Sequence, residues 1–260
     1  MFLKFCCRNV RETNFLTIIF IVVLSFESCI SRDKRSCGEV FVQRSQNKSG
    51  FHRDLVTNVE WDILSSVGDH SNLLDCQLLL IEELPSGIFI DVDQIKNAVE
   101  FGGPEVLSTE TINVELLAHH ASSHKIFVFP KIAFDSRLGT INANITIPIH
   151  LRYHPAAEGT KFVSVSLSSP TIVGRCNGIN SPAKQCGTTP FKAPCDATQL
   201  FSCDWIPLNS VSKDQSQSNM PLVLRVPVGQ IEHTWLIIAL TVLSTMAGCG
   251  LILWNSLAIT

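Results

Sequence analysis

The sequence has no surplus of positive charge. Its 20 lysine and arginine residues stand against 23 aspartate and glutamate residues, which gives a formal net charge of −3. Proteins that bind nucleic acids need clustered cations to neutralise phosphates, so this composition argues against a nucleic-acid partner.

Short motifs of nucleotide-binding and hydrolytic sites are also missing. The sequence contains no Walker loop, no Gly-x-Gly-x-x-Gly run, no Gly-x-Ser-x-Gly elbow and no Cys-x-x-Cys pair. These are the local signatures of phosphate binding, dinucleotide binding, serine hydrolysis and structural zinc. We therefore expect no catalytic residue, no metal and no cofactor, and we interpret the chain as a binding or accessory protein.

Two carboxylates leave one enzymatic alternative open. Asp91 and Asp93 are spaced like the acidic pair that holds a divalent metal in some glycosyltransferases, but no nucleotide-binding βα framework surrounds them. The end of a strand followed by a short helix over residues 93–99, with Asp93 as its cap, explains the same residues better.

Three histidines invite a similar question. His120 and His124 have the i, i+4 spacing that places two imidazoles on one helix face, and His119 precedes them. No Glu follows the first His and no third ligand lies at an obvious spacing, so a solvated loop between strands is the better interpretation.

Two apolar runs lie near the ends of the chain. The run 15–26 follows basic residues and is short for a membrane span, which predicts a signal peptide over residues 1–31 or, if it is uncleaved, a signal anchor. The uncharged run 235–254 has a tryptophan at each end and predicts a transmembrane helix. Residues 255–260 would then be a cytoplasmic tail, in a single-pass type I topology with the bulk of the chain lumenal.

Cysteines and glycosylation sequons agree with that compartment. Six cysteines lie between the predicted signal segment 1–31 and the apolar run 235–254, an even number that predicts disulfides with 15 possible connectivities. They are Cys37, Cys76, Cys176, Cys186, Cys195 and Cys203. We expect Cys186, Cys195 and Cys203 to tie together a cysteine-rich extension, with Cys176 as their fourth member. Asn47 and Asn144 each begin an Asn-x-Ser/Thr acceptor site for N-glycosylation.

Short runs of strand-forming residues recur through the middle of the chain. They cover residues 76–81, 87–92, 111–116, 125–129, 140–151 and 161–167. Strands at this spacing, separated by Pro and Gly turns, favour a mainly β, sandwich-like domain. We expect residues 32–209 to form this lumenal domain with its disulfide-tied extension, and residues 210–234 to form a polar stalk.

The run 140–151 has the clearest pattern. Its odd-numbered residues are apolar and its even-numbered residues are mostly polar, which predicts a strand with one buried face. Pro148 has no N–H to donate, so the strand should be an edge strand or carry a bulge. His150 and Arg152 would project from the open face, followed by Tyr153 at the strand's end, and we predict that these three residues contact a partner.

Four separated blocks of the sequence resemble the PIG-X family. They occur in the family's order and cover most of residues 50–250. The blocks are Gly50–Leu55, Cys76–Gln94, Pro148–Pro155 with the following strand through Ser169-Pro170 to Arg175-Cys176, and a last block of Ala193-Pro194-Cys195, Cys203-Asp204-Trp205 and Arg225–His233.

The resemblance implies a stabilising subunit in the endoplasmic reticulum membrane, without catalytic residues of its own. Its implied partner is a PIG-M-like multi-span mannosyltransferase, which uses dolichol-phosphate-mannose to add the first mannose during GPI-anchor biosynthesis. The alternative, from a different class, is a cell-surface or GPI-anchored binding protein with a disulfide-stabilised β domain. Ser216, Ser218 and Asn219 are small residues upstream of the apolar C-terminal run, as GPI attachment requires.

Overall fold

The computed structural model describes residues 39–62, 76–135, 138–176, 189–211 and 221–258, which contain fourteen strands and two α-helices. The strands are β1 Glu39–Asn47, β2 His52–Asp62, β3 Cys76–Leu84, β4 Ile88–Phe89, β5 Glu105–Ser108, β6 His124–Phe129, β7 Ala133–Asp135, β8 Thr140–Leu151, β9 Phe162–Leu167, β10 Thr171–Cys176, β11 Phe191–Pro194, β12 Ser202–Pro207, β13 Asn209–Val211 and β14 Leu222–Pro227. The helices are α1 Val92–Val99 and α2 Thr234–Ala258.

Two six-stranded sheets make up most of the domain. Sheet 1 has the order β13-β1-β2-β8-β4, with β7 also paired to β8. Sheet 2 has the order β11-β12-β10-β3-β6-β5. The centre of sheet 1 is the antiparallel pair of β2 and β8, which runs in register from His52 opposite His150 to Asp62 opposite Thr140.

The two sheets pack face to face over one apolar core. Leu55, Val59 and Trp61 reach it from β2, while Leu78 and Leu80 reach it from β3. The close approach of the sheets is visible where the Trp61 ring faces Gly174 of β10. A Cβ at position 174 would lie 2.7 Å from that ring, so only glycine fits there. The expectation of a mainly β, sandwich-like fold is confirmed.

A two-stranded ribbon, β9 with β14, completes the core. The range 210–234 was expected to form a stalk, yet residues 222–227 within it are β14. Leu224 and Val226 are fully buried in the main core. Alternate residues of this segment are apolar, and β9 offers it a matching antiparallel edge, so it folds as a strand of the domain.

Most of the expected strands are present, but the run 87–92 forms only the two-residue strand β4 before α1 begins at Val92, and one other run is not a strand. The prediction for 140–151 coincides with β8, and the runs 76–81, 125–129 and 161–167 fall within or closely match β3, β6 and β9. The run 111–116 is not a strand. The Asn113 side chain accepts a hydrogen bond from the Glu115 amide at 3.0 Å, a local turn that competes with strand pairing. The edge position beside β6 is filled by β5 instead.

The two helices differ in character. Helix α1 begins at Val92, one residue before the expected start, and its cap is Asp91 instead of Asp93. The Asp91 carboxylate accepts hydrogen bonds from the amides of Asp93 and Gln94. Helix α2 contains the expected span 235–254 and continues to Ala258. With the preceding 3-10 turn, residues 231–258 form the one helix in the described part of the chain that is long and apolar enough to cross a membrane, and an 18-residue stretch within it has a mean hydropathy of 2.3.

Candidate functional site

The C-terminal end of β8 brings together the three residues predicted to contact a partner. Along the strand the predicted alternation is confirmed, because Ile141, Ala143, Ile145, Ile147, Ile149 and Leu151 are all buried. The prediction that Arg152 projects from the open face is wrong, since this residue is only 2% exposed. The strand ends at Leu151, so the alternation of faces no longer governs the next residue.

Pro148 lies on a part of β8 with one open edge. Strand β7 pairs with residues 140–142 of β8, and β4 pairs with residues 150–151. Within the described residues, the stretch between these two pairings has β2 as its only strand neighbour. A residue without an N–H is tolerated there.

His150 is half-buried among aromatic rings. Its ring stacks on Phe89 at 5.0 Å between centroids and meets His52 edge to face at 4.6 Å. Its Nε2 lies 2.9 Å from Oε1 of Gln94 on α1. Burial lowers the pKa of His150, the nearby His52 lowers it further, and Asp91 partly opposes both. At neutral pH the ring is therefore neutral, and it joins α1 to sheet 1.

Arg152 fixes the long segment between β5 and β6. Its guanidinium lies over the Phe89 ring, 4.7 Å from the centroid, and its Nη1 donates a hydrogen bond to the Leu116 carbonyl at 2.7 Å. The backbone amide of Arg152 donates a hydrogen bond to the Gly87 carbonyl at 2.9 Å. Burial lowers the pKa of this guanidinium from its ordinary value. A side chain held in this way supports its neighbours.

Tyr153 is the one predicted contact residue with a large exposed side chain. It is 66% exposed, and its ring packs on Phe51 with 4.5 Å between centroids. Its carbonyl accepts a hydrogen bond from the Ala118 amide at 3.0 Å. That bond brings Leu116 and Leu117, both about 40% exposed, to the same end of the domain. Sequence reasoning missed these two leucines because it assigned 111–116 to a strand.

The three histidines of the 119–124 region do not share a site. His119 and His120 are exposed, with ring centroids 4.0 Å apart, whereas His124 is buried at the start of β6. Burial lowers the pKa of His124, and the charge of Arg152 lowers it further, although Glu110 opposes both. The described ranges contain no group of three or more His, Cys, Asp or Glu side chains placed to hold a metal ion.

Four of the six expected cysteines form disulfides in the structure. Cys76 pairs with Cys176 between the neighbouring strands β3 and β10, and Cys195 pairs with Cys203 across the β11–β12 hairpin. Cys176 therefore ties two strands of the sandwich together and not the extension. Cys37 and Cys186 lie outside the described residues, as does the predicted signal segment 1–31.

Both sequon asparagines lie on the outer face of sheet 1 and are exposed. Asn144 stands opposite Asn58 of β2, and Asn47 ends β1 opposite Asp54. Asn144 also lines a shallow cavity of about 550 Å³ on this face. A glycan at either position would extend away from the core.

Comparison with known proteins places the chain beside one family. The model of the PIG-X / PBN1 family matches residues 48–257. A human protein named "GPI alpha-1,4-mannosyltransferase I, stabilizing subunit" is 26% identical over 219 residues, which is 84% of this chain and 80% of the human protein. Proteins of the same name from Rattus norvegicus and Mus musculus are each 25% identical over 223 residues, which is 85% of this chain and 82% of theirs. No solved structure matches the chain.

Proposed function

Because the chain belongs to the PIG-X / PBN1 family, we propose that it is the non-catalytic, stabilising subunit of a GPI mannosyltransferase I. In this proposal it binds a multi-span catalytic subunit of the PIG-M type and maintains its abundance. That partner adds the first mannose during GPI-anchor biosynthesis. The observation that carries the proposal is the extent of the family match, since residues 48–257 include the β sandwich from β2 onward and nearly all of helix α2.

The environment of the candidate catalytic carboxylates supports a non-catalytic role. Asp91 is engaged in capping α1, where its Oδ1 accepts the amides of Asp93 and Gln94 at 3.0 and 3.2 Å. Asp93 is exposed and lies 3.8 Å from Lys96, one helical turn away. Each carboxylate thus has an ordinary role at a helix N-terminus. The acidic pair was the reason for considering a metal-dependent glycosyltransferase, so that alternative is weakened.

We place the chain in the endoplasmic reticulum membrane as a single-pass type I protein with the sandwich in the lumen. Disulfides within the domain and the two exposed sequons support an oxidising, glycosylating compartment. Removal of N-glycans should increase the mobility of the full chain on gels. Asn47→Gln and Asn144→Gln should each abolish part of that shift, and unglycosylated protein in the same cells would contradict the lumenal orientation.

The position of β14 argues against the alternative of a GPI-anchored surface protein. Attachment at Ser216, Ser218 or Asn219 would remove every later residue, including the buried Leu224 and Val226. Strand β9 would lose its partner, and Val165 and Leu167 would be exposed. Phosphatidylinositol-specific phospholipase treatment should therefore leave the chain on the membrane, and its release would favour the alternative.

The deciding experiment is complementation in cells that lack their own stabilising subunit. Expression of the full chain should raise the abundance of the catalytic subunit and restore GPI-anchored proteins at the cell surface, measured by immunoblot and flow cytometry. Affinity capture in mild detergent should recover the catalytic subunit. Cells that lack the catalytic subunit are the matched control, and the chain should restore nothing there. Restoration in that control, or restoration without any change in partner abundance, would contradict a stabilising role.

A further inference from the structure

One end of the sandwich leads directly into the membrane helix. Strand β14 ends at Pro227, which stands opposite Phe162 at the start of β9, and α2 begins at Thr234. Strand β8 also ends here, because residues 152–161 connect it to β9. We call this end the helix-proximal pole, and it is formed by residues 47–51, 85–87, 109–123, 152–161 and 228–233.

Strand directions place the other segments at the same pole. The antiparallel register of β2 with β8 sets His52 beside His150, so the turn before β2 lies here. The pairing of β4 with the end of β8 brings the preceding turn to this pole as well. His124, the first residue of β6, stands opposite Leu84 at the end of β3, so the segment before β6 also belongs to the pole.

Backbone hydrogen bonds hold this pole to the start of the helix. The Ala157 amide donates to the Gly229 carbonyl at 2.9 Å, and the Ile231 amide donates to the Ala157 carbonyl at 3.4 Å. The Gly159 amide donates to Oε1 of Glu232 at 3.3 Å. The loop 152–161 is therefore attached to the chain within a few residues of Thr234.

The length of α2 sets the depth of this attachment. Its 25 residues span about 38 Å at 1.5 Å per residue, which exceeds the hydrocarbon thickness of about 30 Å. The ends of the helix must therefore reach into the headgroup layers. Trp235, which is 81% exposed at the start of the helix, has the amphipathic side chain typical of that layer. Residues 229–232, and the loop bonded to them, then lie at the level of the lipid headgroups.

Five of the twelve large apolar side chains that are exposed in the described residues outside α2 lie at this pole. They are Val114, Leu116, Leu117, Tyr153 and Ile231, and Phe162 borders the pole at the start of β9. Leu116 and Tyr153 are held in place through hydrogen bonds to Arg152 and Ala118. Their positions are fixed by the fold, so this surface is preformed.

We propose that the helix-proximal pole rests on the bilayer that α2 crosses, with Tyr153, Leu116 and Leu117 at the headgroup level. The occupant of this apolar surface is the lipid interface, because the covalent and hydrogen-bonded connection to α2 keeps the pole beside it. A tyrosine ring with its hydroxyl suits an environment that is apolar on one side and wet on the other. The inference does not depend on the proposed function, since it needs only that α2 spans the membrane.

Site-specific photo-crosslinking of the full chain in phosphatidylcholine nanodiscs tests the proposal. The photoreactive residue benzoylphenylalanine replaces Tyr153 in one sample and Leu117 in another. Leu138, which is 63% exposed in the turn before β8 at the opposite end of the sandwich, is the matched control position. Lipid adducts identified by mass spectrometry should be several-fold more abundant at 153 and 117 than at 138. The melting temperature and the Cys76–Cys176 disulfide report whether each labelled chain has folded.

Two outcomes would overturn the proposal. Lipid adducts at 153 and 117 no more abundant than at 138, in folded protein, would remove the pole from the bilayer. When the catalytic subunit is co-purified in the same nanodiscs, adducts to that protein in place of lipid would make the pole a protein interface. Persistence of lipid adducts in both preparations supports the proposal whether or not the chain stabilises a mannosyltransferase.

Discussion

Arg44 of β1 and Glu82 of β3 form an ion pair across the interior of the sandwich. Nη2 of Arg44 lies 3.0 Å from Oε1 and 3.1 Å from Oε2 of Glu82, and Nη1 donates to the Ser168 carbonyl at 2.6 Å. The side chains are 9% and 1% exposed, so the pair joins sheet 1 to sheet 2 in a largely dry environment. Burial raises the pKa of Glu82, although Arg44 partly opposes the shift.

Removal of one partner of this pair should be more damaging than removal of both. Arg44→Met leaves Glu82 buried without its cation and should lower the free energy of unfolding by about 3–5 kcal/mol. The double variant Arg44→Met/Glu82→Leu removes both charges and should recover most of that loss. Thermal unfolding of the detergent-solubilised chain, followed by tryptophan fluorescence, measures both variants. A double variant no more stable than the single one would contradict this account.

The raised pKa of Glu82 also predicts the sign of a pH effect. The folded state holds the Glu82 proton more tightly than the unfolded chain, whose reference pKa is 4.5. The contribution of this group to stability is therefore complete below pH 4.5 and is lost as the pH rises through the higher folded-state value. Glu82→Gln removes the titration, so the stability of the unsubstituted chain relative to the variant should fall from acidic to neutral pH. A difference that increases over that range would show that the pKa is depressed.

Truncation of Arg152 should lower the stability of the domain much more than truncation of its neighbour Tyr153. Arg152→Ala removes a charged hydrogen bond to Leu116 and a contact with the Phe89 ring, and should destabilise the chain by about 2–4 kcal/mol. Tyr153→Ala removes an exposed ring and should change stability by less than about 1 kcal/mol.

The melting temperature and protease resistance of both variants provide the measurement. Arg152→Lys is a matched control, since it keeps the charge but cannot reproduce the planar guanidinium over Phe89, and its stability should lie between those of Arg152→Ala and the unsubstituted chain. If Arg152→Ala has the same melting temperature as the unsubstituted chain, the Arg152 side chain does not stabilise the segment before β6.

The two disulfides should differ in their contribution to stability. The Cys76–Cys176 bond closes a loop with a sequence separation of 100, against 8 for Cys195–Cys203. Loop-closure entropy gives about 4.7 kcal/mol for the long loop and about 2.5 kcal/mol for the short one. Double serine variants of each pair, compared by thermal unfolding, test this order, with non-reducing peptide mapping to confirm the pairing. Cys249→Ser, in the membrane helix, is the control and should change nothing.

Removal of the acidic pair should spare mannosylation. Asp93→Ala eliminates an exposed carboxylate and should leave complex activity unchanged, while Asp91→Ala removes a helix cap and should cost about 1 kcal/mol of stability. The measurement is mannose transfer in microsomes, normalised to the amount of catalytic subunit. A loss of normalised activity with normal levels of both subunits would indicate a direct role in the reaction.

The predictability of each strand follows from the side chains at its inward positions. Strand β8 was predictable because every inward position from Ile141 to Leu151 is apolar. Strand β2 was missed because Arg53 and Thr57 occupy inward positions and interrupt the alternation. Arg53 is satisfied there by the Gly50 carbonyl, the Gln46 side chain and the Arg225 carbonyl, one of which lies more than a hundred residues away in sequence. No local pattern can reveal a partner at that separation.

The same limit applies to the candidate site. The sequence placed His150 and Tyr153 at the end of β8, where His150 is half-buried and Tyr153 is exposed, and their contact with a partner stays a prediction. It could not reveal that Arg152 turns inward onto Phe89, because that contact depends on strand β4 pairing with the last residues of β8. The exposure of Leu116 and Leu117 depends in turn on that buried arginine.

The late position of β14 has a consequence for the order in which the protein is made. Chains are synthesised from the N-terminus and domains fold as units, yet the core of this domain is incomplete until Leu224 and Val226 have been added. Only six residues separate β14 from α2. Before β14 has been synthesised, β9 lacks this partner strand, and an unpaired strand edge is prone to aggregation. The sandwich therefore reaches its finished form at about the moment that the anchor enters the membrane.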